Sequence, residues 1–245
     1  MNKWLFQTAD ISFKIKTLIP KLQHDKQKFI CMKRLAIIGS GALGQQIAYH
    51  AVADKHYNVV GYFDDFHPIG TRINDVPVIG NTSEIVDTYK QGAFDLIMNG
   101  IGYNHFEKRA SFFDKYSQAI PFGTIIHSSS FVDKSSKIGS GVFIYPGCTV
   151  DMNCVIEDNV LINVGCVVAH DSKIKKHSFL SPGVKIAGFV EIGTSVWLGI
   201  GTIVIDNIKI SERTQTGAGA VVVNNIAASG LYIGLPAKLK KYDTI

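Results

Sequence analysis

The sequence predicts α/β plus β: a small Rossmann-like βαβ domain followed by a parallel β-helix of hexapeptide repeats. Three observations lead there. A short apolar strand, Arg34-Leu35-Ala36-Ile37-Ile38, runs directly into Gly39-Ser40-Gly41-Ala42-Leu43-Gly44. A second apolar strand ends in Asp64-Asp65, about 20 residues past the glycines, which is the spacing of a nucleotide-binding βαβ unit. From Ile126 onward, every sixth residue is aliphatic as far as Val222, with Thr216 the one departure.

The first 31 residues differ in character from the rest of the chain. The chain of 245 residues carries a net charge of +5, and +4 of it resides here, in Lys3, Lys14, Lys16, Lys21, Lys26 and Lys28 against Asp10 and Asp25. The rest is nearly neutral, so the basic balance describes an extension and argues against a nucleic-acid-binding core. The segment lacks the apolar h-region of a signal peptide. It reads either as an extended start or as a basic, amphipathic stretch making weak contact with a membrane surface. No apolar run is long enough for a membrane-spanning helix. Cys31, Cys148, Cys154 and Cys166 form no CxxC pair, which excludes a zinc finger and a disulfide framework and favours a reducing, cytoplasmic setting.

A domain of residues 32–122 comes next. After the glycine loop, Gln45–Val52 reads as a helix, Tyr57–Phe63 as a strand, Phe94–Met98 as a third strand, and Phe106–Tyr116 as a second helix. A complete dinucleotide domain needs two such halves, so NAD is not the expected ligand.

Residues 123–235 carry the period of six, which is neither the helical 3.6 nor strand alternation. It is the period of a parallel β-helix, in which three hexads close one turn. The aliphatic residue points inward, and four places on sits a small or β-branched residue such as Cys148, Cys154, Cys166, Ser172 or Val184. These cysteines therefore read as core residues. Residues 236–245 form a tail. Of eight histidines, His24 lies in the extension, four lie in the α/β domain, and His127 opens the first hexad, leaving His170 and His177 in the middle coils. His170 stands two places after the inward Val168 and therefore points outward, with Asp171 beside it. Histidine is the natural base near neutral pH. No third ligand accompanies His170 and His177, so no metal is expected.

The combination resembles the bacterial sugar O/N-acyltransferases, of the sialic acid O-acetyltransferase and nucleotide-amino-sugar N-acetyltransferase type. The resemblance runs over about residues 33–240 and rests on the loop 39–44, Tyr62-Phe63-Asp64-Asp65, Ile125-Ile126-His127-Ser128-Ser129-Ser130, Ile162–Asp171 and Ile233-Gly234-Leu235-Pro236-Ala237-Lys238. It implies a left-handed β-helix, a homotrimer, and acetyl-CoA bound in the crevice between neighbouring β-helices. It assigns His170 as general base and Asp171 as the acidic residue assisting it. It puts Phe179, Gly188, Ile200 and Ala218 among the acetyl-CoA contacts, with Lys238 toward the CoA phosphates. It gives Gly39, Ser40, Gly41, Ala42, Leu43, Gly44, Asp64 and Asp65 to a nucleotide-sugar acceptor used in surface polysaccharide synthesis. Acetylation of a sugar or sialic acid hydroxyl, and a non-catalytic sugar-nucleotide-binding scaffold, are the competing readings.

Overall fold

Residues 33–38 contain no side chain that tolerates water well except at their start, and they form the buried central strand of a sheet. In the computed structural model, which describes residues 32–240, β1 (Arg34–Ile38) is buried along all but its first residue. The basic segment 1–31, with its expected membrane contact, and residues 241–245 lie outside the described residues. Helix α1 (Ala42–Ala53), β2 (Asn58–Phe63), a hairpin of β3 (Arg72–Ile73) and β4 (Val76–Gly80), α2 (Ile85–Lys90), β5 (Leu96–Asn99) and α3 (Phe106–Tyr116) follow. The sheet order is β3-β4-β2-β1-β5, parallel except for the hairpin.

Helix α2 was not anticipated, β5 begins at Leu96 rather than Phe94, and two further details depart from the sequence expectation. Helix α1 starts three residues earlier, inside the glycine run, so that Gly44 lies against the loop: a Cβ there would stand 2.0 Å from the Gly39 carbonyl oxygen. The hairpin was not expected. It turns on Asn74 and Asp75, both at positive φ (46° and 63°), the conformation a two-residue hairpin turn needs.

After the bridge between Ile97 and Phe122, the chain enters the β-helix. Each coil advances 18 residues: Phe143 pairs with Leu161, and Leu161 with Phe179. Three parallel faces result. The first runs through Phe143–Ile144, Leu161–Ile162, Phe179–Leu180 and Trp197–Leu198. The second runs through Thr149–Val150, Val167–Val168 and Lys185–Ile186, and the third through Val155–Ile156, Lys173–Ile174 and Glu191–Ile192. The second residue of each strand points inward, and Ile144, Ile162, Leu180 and Leu198 are wholly buried. The small residues close the corners from inside, Cys148, Cys154 and Cys166 among them, all as free thiols.

The corners obey a second sixfold rule. From Gly141 to Gly219, every sixth residue has φ between 55° and 71°. Between the first and second faces this position is glycine in successive coils: Gly147, Gly165, Gly183, Gly201, Gly219. No atom lies within 4 Å of a Cβ built on any of them, so backbone conformation rather than space calls for glycine there.

The α/β domain rests on the first face. The Tyr145 hydroxyl bonds Gln46 Oε1 at 2.7 Å, Tyr57 donates to the Thr124 carbonyl at 2.9 Å, and one apolar cluster runs from Leu35 and Ile37 into the column of Ile144, Ile162 and Leu180. Because stacked coils bury one another, a single void in the column removes contacts from the coils above and below. Leu180→Ala is expected to lower stability by about 2–5 kcal/mol, read as a fall in the urea midpoint with unchanged slope.

Candidate active site

The chain turns between the second and third faces at Ala169-His170-Asp171-Ser172. His170 is half-buried, with 44% of its side chain exposed, and its Nδ1 lies 3.0 Å from Asp171 Oδ2. Asp171 is a left-handed corner residue (φ 56°), a conformation Asp tolerates. Its second oxygen accepts from Asn153 Nδ2, one coil below, at 3.2 Å. A chain of Asn153, Asp171 and His170 thus engages Nδ1 and leaves Nε2 as the ring atom free for a substrate. One coil above, Gly188 stands at the level of the imidazole. Its missing side chain matters, since a Cβ there would be 2.7 Å from His170 Cε1 and 2.8 Å from Nε2. Phe189 is next in the chain and meets the imidazole edge to face, with centroids 5.1 Å apart.

The glycine loop lies elsewhere, on the α/β domain. Gly39 (φ 84°) takes the left-handed turn out of β1, and Asp64 ties the loop down. One Asp64 oxygen accepts from Ser40 N (2.8 Å) and Ser40 Oγ (2.6 Å); the other accepts from Phe66 N (2.8 Å) and faces His67 Nδ1 at 3.2 Å. Burial alone would raise the carboxyl, but these donors outweigh it and hold the pKa at about 2. Asp65 is also engaged, by Thr82 N and Oγ1 at 2.8 Å each. Of the two acidic residues expected on a nucleotide, Asp64 braces the glycine loop and Asp65 holds the segment after β4.

Gly41, Ala42 and Leu43 line a cavity of about 420 Å³ together with Gly100 and Gly102, which follow β5. Tyr145, Asn163 and Phe179 on the first face of the β-helix also line it, as does His105. Asn163 and Phe179 also border a second cavity of about 390 Å³, which continues past Trp197, Ile200 and Ala218 along the glycine corner. Lys238 is exposed on the short last strand, which pairs with Tyr232 and Ile233 beside Gly217. The site residues expected from sequence thus fall into two groups within one chain. Gly188 joins His170 and Asp171 at the corner between the second and third faces. The loop, Phe179, Ile200 and Ala218 gather at the first face and the glycine corner.

His177, the rival base, is buried beneath α3. It contacts Asn159 Nδ2 through Nδ1 (2.9 Å), faces Asp114 through Nε2 (3.4 Å) and packs on Phe113. Burial pushes its pKa down. Beside it, Arg109 bonds the Asn99 carbonyl at 2.6 Å and reaches the carbonyls of Ile101 and Asn159. Burial lowers this guanidinium to about 10. These residues hold α3 against the coils, away from solvent. Sequence reasoning missed Asn153, Asn163, Gly100 and His105. Asn153 had an available signal, standing 18 before Asp171 in a chain with an 18-residue coil. Among the described residues, no three His, Cys, Asp or Glu side chains converge into a metal-holding group, and no helix is long and apolar enough to cross a membrane.

Residues 34–116 match the family described as the PglD N-terminal domain, and residues 153–188 match the bacterial transferase hexapeptide repeats. No curated protein sequence matched the chain. The structure is similar to a histidine-to-asparagine mutant of perosamine N-acetyltransferase from Caulobacter crescentus, in complex with CoA and GDP-perosamine. That match has 30% identity and a TM-score of 0.79, over 85% of this chain and 97% of the other. It is also similar to the acetyltransferase domain of PglB from Neisseria gonorrhoeae in complex with acetyl coenzyme A, at 28% identity and a TM-score of 0.77, over 85% of this chain and 100% of that one. WeeI from Acinetobacter baumannii shares the fold at 19% identity and a TM-score of 0.73, over 84% and 99%. The chain belongs to the bacterial hexapeptide-repeat sugar acyltransferases that carry a PglD-type N-terminal domain, and it is an enzyme of acyl transfer.

The Asp64 clamp has a pH signature. A carboxylate held at about 2 when folded, against about 3.9 in an unfolded chain, stabilises the fold fully above pH 4 and loses that contribution as pH falls through 2. Asp64→Asn is expected to be less stable than the parent at pH 7, with the gap closing between about pH 4 and pH 2. Urea midpoints measured across that range check it.

Proposed function

We propose that this enzyme transfers the acetyl group of acetyl-CoA to the amine of a nucleotide-linked amino sugar, with His170 as general base. The observation that carries the reading is the His170–Asp171–Asn153 chain at an exposed corner, with Gly188 leaving the ring room, in a member of this acyltransferase family. Nε2 accepts the proton that the amine loses as its nitrogen attacks the thioester carbonyl carbon. The C–S bond then breaks, and the proton passes to the departing thiolate, giving an amide and free CoA. The Asp171 carboxylate, in contact with Nδ1, keeps the ring oriented through both transfers. The reacting groups must also be held together, which oriented binding on two sides of the base supplies.

The assignment of ligands rests on the chemistry of the two cavities. The one under the glycine loop presents backbone N–H groups at the start of α1, which suit phosphate groups of a nucleotide sugar. The glycine corner leaves a strip of bare backbone bordered by Ile200 and Ala218, which suits the narrow pantetheine arm, with Lys238 toward the CoA phosphates. GDP-perosamine and acetyl coenzyme A, bound by the similar proteins, are ligands of this chemistry.

His170 and the glycine corner sit on different edges of the same three-sided coil, so one chain alone does not bring base and thioester groove together. A homotrimer with neighbouring β-helices side by side supplies both. The free buried thiols accord with a reducing cytoplasm. Sedimentation is expected to give about three times 26.8 kDa; a fully active monomer would rule the arrangement out. His170→Ala is expected to lower kcat by roughly 10²–10⁴ while leaving acetyl-CoA affinity within about twofold, since a base adds little to ground-state binding. Free CoA released from a panel of UDP-, GDP-, dTDP- and CMP-amino sugars, each beside its hydroxy counterpart, identifies the acceptor. Turnover with the hydroxy sugars alone would replace the amine by a hydroxyl.

A further inference from the structure

The corner between the second and third faces holds one residue out of keeping with its neighbours. Its left-handed position is filled in successive coils by Asn153 (φ 58°), Asp171 (φ 56°), Phe189 (φ 59°) and Asn207 (φ 62°). Asn and Asp enter this region readily, because a short polar side chain can satisfy nearby backbone groups. For a bulky aromatic residue it is an outlier and costs stability. Core packing does not offset that cost, since Phe189 is 56% exposed. Its backbone N–H bonds the His170 carbonyl at 3.1 Å, the same coil-to-coil bond that Asp171 makes to Met152, so any residue there would keep it. What the side chain adds is its contact with the imidazole, perpendicular within a few degrees (87°) and 5.1 Å between centroids.

A single hydrogen bond at Nδ1 fixes one atom of the His170 ring and leaves the ring free to swing about it. Gly188 abuts the ring from the coil above, and Phe189 stands at right angles to it. Asp171 at Nδ1, Gly188 against the ring and Phe189 at its side thus restrict the imidazole from three directions.

We propose that Phe189 is a positioning residue for His170: it holds the imidazole in its reactive orientation, at the expense of a strained backbone. This inference rests on His170 being the base. The proposal separates stability from activity in a way that a structural role would not. Phe189→Asn, in the full-length protein, is expected to raise Tm by a few degrees through relief of the left-handed strain. It is expected to lower kcat by about tenfold with the acceptor KM and acetyl-CoA affinity nearly unchanged. Phe189→Tyr, which keeps the ring, is expected to restore kcat to within about twofold. The ring C–H resonances of His170, identified by their loss in His170→Gln, are expected to carry an aromatic ring-current shift that Phe189→Asn abolishes and Phe189→Tyr keeps. Phe189→Asn with unchanged kcat, while His170→Ala is inactive, would overturn the proposal and leave the base in place. A Tm that falls along with kcat would reduce Phe189 to a packing residue and overturn it as well. Full activity in His170→Ala would instead overturn the assignment of the base, whatever Phe189→Asn does.

Discussion

The β-helix depends on one backbone constraint: at every sixth residue the chain must turn left. L-residues other than glycine enter that region at a cost, which is smallest for Asn and Asp. Two of the three corners follow that preference, while the corner between the third and first faces carries Asn159, His177, Ser195 and Arg213 at the same φ. Where the selection is glycine throughout, between the first and second faces, the corner becomes bare backbone. Where it is Asn or Asp in every coil but that of Phe189, between the second and third faces, the corner becomes a ladder of short polar groups, and Asn153 and Asp171 form the hydrogen-bonded rungs behind His170. The same rule that folds the domain thus distributes a smooth groove and a polar ladder to two of its edges.

Period decided how much of this could be read in advance. The sixfold aliphatic pattern is local and repeated, so the coils, their inward residues and the cysteines of the core were legible. The outward direction of His170 came from counting two places past Val168. The glycine loop and the strand before it were legible for the same reason, being contiguous. Contacts that join distant segments were not. Arg109 meets the Asn159 carbonyl 50 residues away, and Tyr145 meets Gln46 across 99, and no local spacing encodes either. The spacing of Asp64 and Asp65 from the glycines marks the βαβ unit, and the family resemblance assigns them to a nucleotide. Their engagement with Ser40 and Thr82 depends on how two loops fold back on one another.

The two middle-coil histidines show why burial separates residues that sequence treats alike. His170 and His177 are seven apart and both outward-pointing by phase. One reaches a corner open to solvent. The other reaches the corner beneath α3, where Phe113, Asp114 and Asn159 surround it. A partner helix laid over one edge of the coil converts an outward residue into an interior one, and with it a candidate base into part of a domain junction.

A stack of parallel strands is, in principle, endless, because each coil offers the next the same row of backbone donors and acceptors. Two identical columns could therefore join end to end into a fibre. The two ends of the described column differ. At the start, the α/β domain leads into the first coil through the bridge at Phe122. At the finish, Lys238–Leu239 folds back antiparallel on Gly230–Ile233, so the outermost strand runs against the direction of the others and carries a lysine at its exposed edge. On the first face, an arriving parallel strand would meet one running the opposite way beside an exposed lysine, a charge that resists burial. The second and third faces end in parallel strands, so the side chain considered for a phosphate contact stands on the one face whose direction reverses.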